Sequence, residues 1–139
     1  MIPDAEAIVG RYLRTHPLIV AVGASVGPGI PDRTAAPWVK LVQLNGPSDR
    51  DVDVDHIVRF MLQLDCYCGR AAQAAARDQA TASLLARSVR EALTSMAGVH
   101  DGAAVGNAQI VSDPRVPDTR FEPAMERRII TAIVVMHPA

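Results

Sequence analysis

The alternation of apolar and polar residues over residues 56–68 constrains the fold of this chain most. The apolar members are Phe60, Leu62, Leu64, Cys66 and Cys68, and the polar members are Arg59, Gln63 and Asp65. A period of two is typical of a strand with one buried face. The alanine-rich stretch 70–97 follows directly and predicts a helix of similar length. We therefore expect residues 54–68 to form one long strand whose Phe60, Leu62 and Leu64 face that helix.

The rest of the chain predicts further strands around this pair. Residues 38–44 have strand character, and a polar, turn-rich connection joins them to the long strand, which indicates an antiparallel hairpin with a wide tip. Residues 108–111 and 127–136 predict two more strands. The second is apolar on both sides, as a central strand is.

The first forty residues are predicted to contain one helix, one strand and one loop. Asp4 suits the N-cap of an amphipathic helix that ends at His16 and Pro17. Residues 18–22 read as a short buried strand, and the Gly/Pro-rich residues 23–37 read as an exposed loop. Near the other end of the chain, Gly98 suits the C-cap of the long helix, and Gly102 and Gly106 predict a loose segment after it. The predicted fold class is α+β: a mainly antiparallel sheet with a long hairpin, packed against one long and one short helix.

Length and charge limit the classes of function. A chain of 139 residues predicts a single domain over residues 1–139. The net charge of −1 comes with scattered basic residues, so we expect no nucleic acid as the primary partner. The acids Asp4 and Glu6 stand where a signal peptide carries basic residues, and no apolar stretch approaches the roughly 18 residues of a membrane span. We expect a cytoplasmic protein without a membrane partner.

Candidate chemical sites are weak. Asp49, Asp51, Asp53 and Asp55 alternate, but the positions where an EF-hand requires Gly and Glu hold other residues, so a solvated hairpin rim is favoured over a metal site. Cys66 and Cys68 lack further ligands at a supporting spacing and are interpreted as core thiols.

Two other motifs have unremarkable interpretations. His100 and Asp101 could pair as a base and its orienter, but a plain loop is favoured because no nucleophile motif accompanies them. Arg127 and Arg128 could bind phosphate, although a charge pair at a strand end is favoured. We expect no catalytic residue, no metal and no cofactor.

Four segments, taken in order, resemble the tail terminator family of long-tailed bacteriophages, also called minor tail or head–tail joining proteins. They are DAEAIVGRYLRTHP, then APWVKLVQLNGPSD leading into VDHIVRFMLQLDCYCG, then AAQAAARDQATASLLARSVREALTSMAG, and last VSDPRVPDTRFEPAMERRIITAIVVMHP. The resemblance covers most of the chain. It implies a structural virion protein with no catalytic residues.

The resemblance also implies location and partners. Small α+β subunits of that family assemble into a ring, usually a homo-hexamer, on the end of the tail tube, where they stop tube growth and offer a surface for head joining. The expected partners are the tail tube protein and a head-completion or neck protein. The expected location is the tail–neck junction of the virion, with the host cytoplasm as the site of assembly.

Such a protein acts through its interfaces, and two turn-rich loops supply the candidate residues. They are Asn45, Gly46, Ser48, Asp49, Arg50, Asp51 and Asp53 in the first loop, and Arg115, Asp118, Arg120 and Glu122 in the second. We expect part of the first loop to lie against a neighbouring subunit of the ring. The residues expected to be exposed at the rim of an interface with an apolar centre are Asp49, Asp51, Arg115, Asp118, Arg120 and Glu122.

Two alternatives remain open. One is a head-side neck or connector protein, which also forms a ring. The other is a small thioesterase of hot-dog type, in which an antiparallel sheet wraps a long helix. Against the thioesterase, the long helix carries Arg87, Arg90 and Glu91 and is therefore predicted to have one exposed side.

Overall fold

A computed structural model of the protein describes residues 3–29, 37–44, 57–69, 75–121 and 124–138. The helices are α1 (Ala5–Thr15), α2 (Pro17–Val22) and α3 (Ala75–Thr94). The strands are β1 (Ser25–Gly27), β2 (Trp38–Gln43), β3 (Val58–Cys68), β4 (Gly98–His100), β5 (Ala103–Ser112) and β6 (Glu126–Pro138).

The six strands form one sheet in the order β1-β2-β3-β6-β5-β4. All neighbours are antiparallel except β1 and β2, which are parallel. The longest pairing joins β3 to β6, from Val58 opposite Met136 to Cys68 opposite Glu126. The predicted α+β class, the β2–β3 hairpin and the central position of the last strand are confirmed.

The described helices lie on one face of this sheet, as the alternation in β3 predicts. Phe60, Leu62 and Leu64 are buried in one cluster with Leu85 and Val89 of α3. Side chains of α1 and α2 join the same cluster. Helix α3 is one-sided, with exposed Arg87 and Glu91. Residues 54–56 and 70–74, which were predicted to begin the long strand and the long helix, lie outside the described residues.

Residues 18–22 form a helix, so the predicted strand is wrong. Pro17 occupies the first turn of α2, where its missing N–H costs nothing. The Nδ1 atom of His16 accepts a hydrogen bond from the Leu18 N–H at 3.2 Å, which caps the helix. Gly23, at φ 77°, ends it in the left-handed conformation. These two ends outweigh the strand preference of the β-branched residues between them.

Two short strands were not predicted. β1 lies inside the expected loop 23–37 and pairs with the start of β2. Gly98 begins β4 instead of capping the long helix, which ends at Thr94. Asp101 at φ 49° and Gly102 at φ 79° then form a two-residue turn with both φ angles positive, so β4 and β5 make a tight hairpin and not a loose segment.

Candidate assembly surfaces

Most of the interface residues predicted from the sequence lie outside the part of the chain that the structure describes. Asn45, Gly46, Ser48, Asp49, Arg50, Asp51, Asp53 and Glu122 lie outside the described residues. Of the other three, Arg115 is exposed as expected but is held within the chain. Its Nε and Nη2 atoms donate to the Glu126 carboxylate at 3.0 and 2.6 Å.

Asp118 was predicted to be an exposed rim residue, and this prediction is wrong: its side chain is 2% exposed. Its carboxylate accepts hydrogen bonds from Arg120 Nε at 2.9 Å, Arg120 Nη2 at 2.6 Å and Tyr67 Oη at 2.9 Å. The bonds from Arg120 are the main reason that the pKa of Asp118 lies below its usual value. Asp118 is therefore an internal anchor of the 113–121 loop. The Arg120 side chain binds Asp118 and is otherwise exposed to solvent.

The loop closes over a small apolar cluster. Tyr67 and Met125 are fully buried there, and Trp38 and Phe121 pack against them. The Tyr67 and Phe121 rings meet edge to face with centroids 6.2 Å apart. The pKa of Tyr67 is raised, mainly because the side chain is buried and secondly because it hydrogen-bonds to Asp118. The loop is thus bound to the sheet by both packing and charge.

The two adjacent arginines of β6 are engaged within the chain. Arg127 Nη1 lies 3.6 Å from the Asp118 carboxylate and 3.9 Å from that of Asp65. Arg128 Nη2 donates to the Asp113 carbonyl at 2.8 Å. This arrangement agrees with a charge pair at a strand end.

The sheet face opposite the helices is not covered by any of the described helices. We call it the open sheet face. Its central residues are Val42, Leu44, Met61, Ile129, Thr131, Ile133 and Val135, with Lys40, Arg59, Gln63 and Gln109 around them. Across the sheet, Met61 lies opposite Ile133, which lies opposite Gln109. Leu44 is 48% exposed and Met61 36%, so the apolar patch is in contact with solvent.

The border of the open sheet face is positively charged. Lys40 and Arg59 make no ion pair within the described part of the chain, whereas Asp65 is buried beside Arg127 and accepts a hydrogen bond from Gln63 at 2.9 Å. An apolar centre with a charged rim is the usual composition of a protein interface. The sequence carried the signal, because β6 is apolar on both sides, but that pattern was interpreted as burial.

The other candidate motifs do not form a site. His100 Nε2 lies 2.7 Å from the Met96 carbonyl, whereas Asp101 pairs with Arg11 at 3.1 Å, so the two neighbours do not act together. Cys66 and Cys68 are buried thiols, and burial raises the pKa of Cys66. Among the described residues, no group of three or more His, Cys, Asp or Glu side chains is placed to hold a metal ion.

Among the described residues, no helix has the length and apolar composition that a membrane span requires.

Comparison with solved structures finds chains with a similar fold. A chain in the solved virion of a native gene transfer agent (GTA) particle has a similar structure, with a TM-score of 0.68 and 20% sequence identity. The alignment covers 95% of this chain and 93% of that chain. Neither a protein-family model nor a curated protein matches this sequence. The two chains therefore share a fold over nearly their whole lengths.

Proposed function

We propose that this protein is a structural subunit of a tailed, phage-like particle, where it forms a ring on the end of the tail tube, stops tube growth and provides the surface for head joining. The observation that carries this proposal is the fold shared, over nearly the full length of both chains, with a chain of a gene transfer agent virion. The resemblance of the sequence to tail terminators supplies the more specific role.

The open sheet face suits this role. A terminating ring needs one surface that is complementary to the last ring of the tube and another that does not recruit a further tube subunit. The apolar row of Leu44, Met61 and Ile133, bordered by the cations Lys40 and Arg59, offers such a docking surface. It lies on strands of a six-stranded sheet, so it is held rigidly and needs little ordering on binding.

The side-chain network of the 113–121 loop has a supporting role in this proposal. Arg120 and Arg127 fix Asp118, and Asp118 fixes the loop over Tyr67. The loop therefore presents a constant shape at one end of the open sheet face. We propose that Arg115 and the exposed part of Arg120 contribute to the rim there.

The proposal is tested by the mass of the purified protein in solution, by electron micrographs of the same sample, and by mixing it with isolated tail tubes. We expect hexameric rings that bind one end of the tubes and stop their elongation. A monomer that binds neither tubes nor heads would contradict the proposal.

Two other outcomes would point to the alternatives. Rings that bind the head connector and leave tube elongation unchanged would favour the head-side neck protein. A thermal shift with acyl-CoA thioesters and no ring would favour the hot-dog thioesterase.

A further inference from the structure

The outer edge of β5 is only partly covered. β4 pairs with residues 103–105 of β5, and no described strand continues along residues 107–112. Bulges lie between Val105 and Asn107 and between Ile110 and Ser112. Bulges and short cover strands are devices that limit indiscriminate pairing at an edge. A partner for this edge must therefore be selected by side chains as well as by the backbone.

Helix α3 borders this edge and makes it positively charged. Arg87, Arg90, Glu91 and Thr94 of α3 line a cleft of about 440 Å³ together with Ile110 of β5, and we call it the α3–β5 cleft. Arg87 is exposed and makes no ion pair within the described part of the chain.

The remaining charges at the cleft favour an acidic occupant. Arg90 pairs with Asp113 at 2.8 Å, but its buried Nε has no hydrogen-bond partner among the described residues. The acids Glu91 and Asp113 oppose the cations Arg87, Arg90 and Arg128, so the positive charges are in excess.

We propose that the α3–β5 cleft binds the acidic connection, residues 49–55, of a neighbouring copy of this chain. In that segment Asp51, Asp53 and Asp55 alternate with Val52 and Val54. An extended segment with this pattern presents carboxylates on one side and valines on the other.

The two sides match the two sides of the edge. The carboxylates meet Arg87 and Arg90, and the valines continue the apolar surface of Val111, which is 53% exposed. At about 3.3 Å per residue the segment spans about 23 Å, against about 20 Å for residues 107–112.

The sheet order explains why a second copy is the occupant. The connection follows β2, on one side of the sheet, whereas the cleft lies beside β5, on the other side. The described residues that flank the connection, Leu44 and Ile57, adjoin β2 and β3, and β6 separates β3 from β5. A contact between opposite sides of successive copies is heterologous, and such contacts form a ring when the rotation between copies closes. The inference therefore rests on the proposed ring and specifies its lateral contact.

A mixed cross-linking experiment tests the contact. Full-length chains carrying Asp53→Cys are mixed with chains carrying Thr94→Cys, so a disulfide between the engineered residues must join two copies. Cys66 and Cys68 are buried and should not interfere. The matched control is Gln79→Cys, which is exposed on the same helix and about 22 Å away along its axis. We expect at least tenfold more linked dimer with Thr94→Cys than with the control.

Charge reversal gives a second, independent measurement. Arg87→Glu and Asp53→Arg should each reduce ring formation at least tenfold, and the two together should restore it. Arg14→Glu, at an exposed position of α1 outside both proposed surfaces, should leave the ring mass unchanged.

Intact rings in Arg87→Glu would overturn this inference alone, and so would cross-linking by Thr94→Cys that only equals that of the control. In a chain that carries both engineered cysteines, a disulfide that forms only within that chain would also overturn it. A wild-type chain that stays monomeric and never cross-links would overturn both the inference and the ring proposal.

Discussion

At the scale of single residues, the stability of the 113–121 loop depends on the buried carboxylate of Asp118. Asp118→Asn keeps the size of the side chain but removes the charge that binds Arg120 and lies near Arg127. We expect a loss of about 2 kcal/mol in the free energy of unfolding at pH 7, which urea denaturation measures. The matched control is Asp101→Asn, whose ion pair with Arg11 is exposed and should be worth less than about 1 kcal/mol.

The same residue gives the loss of stability a defined pH dependence. The pKa of Asp118 is lower in the folded protein than in the unfolded chain, where it is about 3.9. Its contribution is therefore fully present above that value and is lost as the pH falls towards the folded-state pKa. The difference between wild type and Asp118→Asn should narrow below about pH 4. A difference that is constant from pH 7 to pH 3 would contradict this role.

At the scale of secondary-structure elements, the edge strand β1 depends on a glycine. A Cβ atom added at Gly27 would lie 2.8 Å from Cζ2 of Trp38, whose Nε1 donates to the Gly29 carbonyl at 3.0 Å. We expect Gly27→Ala to lower the free energy of unfolding by about 1–3 kcal/mol, because the indole ring must move. Gly106→Ala is the matched control, since nothing lies within 4 Å of its added Cβ. Equal unfolding midpoints for the two variants would show that β1 and Trp38 are not packed in this way.

The elements also show what the sequence could and could not predict. β3 and β6 were predictable because each carries a long apolar pattern. In β3 the apolar residues alternate with polar ones, and in β6 they occupy both faces of the strand. β1 and β4 are three residues each, too short for a period, and exist because longer neighbours pair with them. Helix α2 depends on the His16 cap and the Gly23 end, which local β propensity concealed.

The candidate site was predictable only in part. Nothing in the sequence near Asp118 indicates that its partner is Tyr67, since the two meet through the tertiary fold. The open sheet face could not be predicted for a different reason. The sequence of an apolar strand face is the same whether that face packs on a helix or is left uncovered. The sequence pattern predicted an interface protein with its candidate residues in two loops, and most of those residues lie outside the described part of the chain.

At the scale of the whole molecule, the open sheet face should act in docking and not in folding. Met61→Glu places a charge at a position that is 36% exposed, so it should cost less than about 1 kcal/mol in stability. It should weaken binding to tail tubes at least tenfold, because the charge would be desolvated at the centre of the interface. Leu84→Glu, at a residue that is 42% exposed on α3, is the matched control and should bind normally. Equal binding by both variants would exclude the open sheet face as the docking surface.

The central claim, that this protein ends tail growth and joins tail to head, is tested most directly by tail length and head attachment in micrographs of particles assembled without it. We expect filled heads together with tails that are overgrown or unattached. Empty heads beside tails of normal length would assign the protein to the neck. Tails of normal length, firmly joined to filled heads, would contradict the claim.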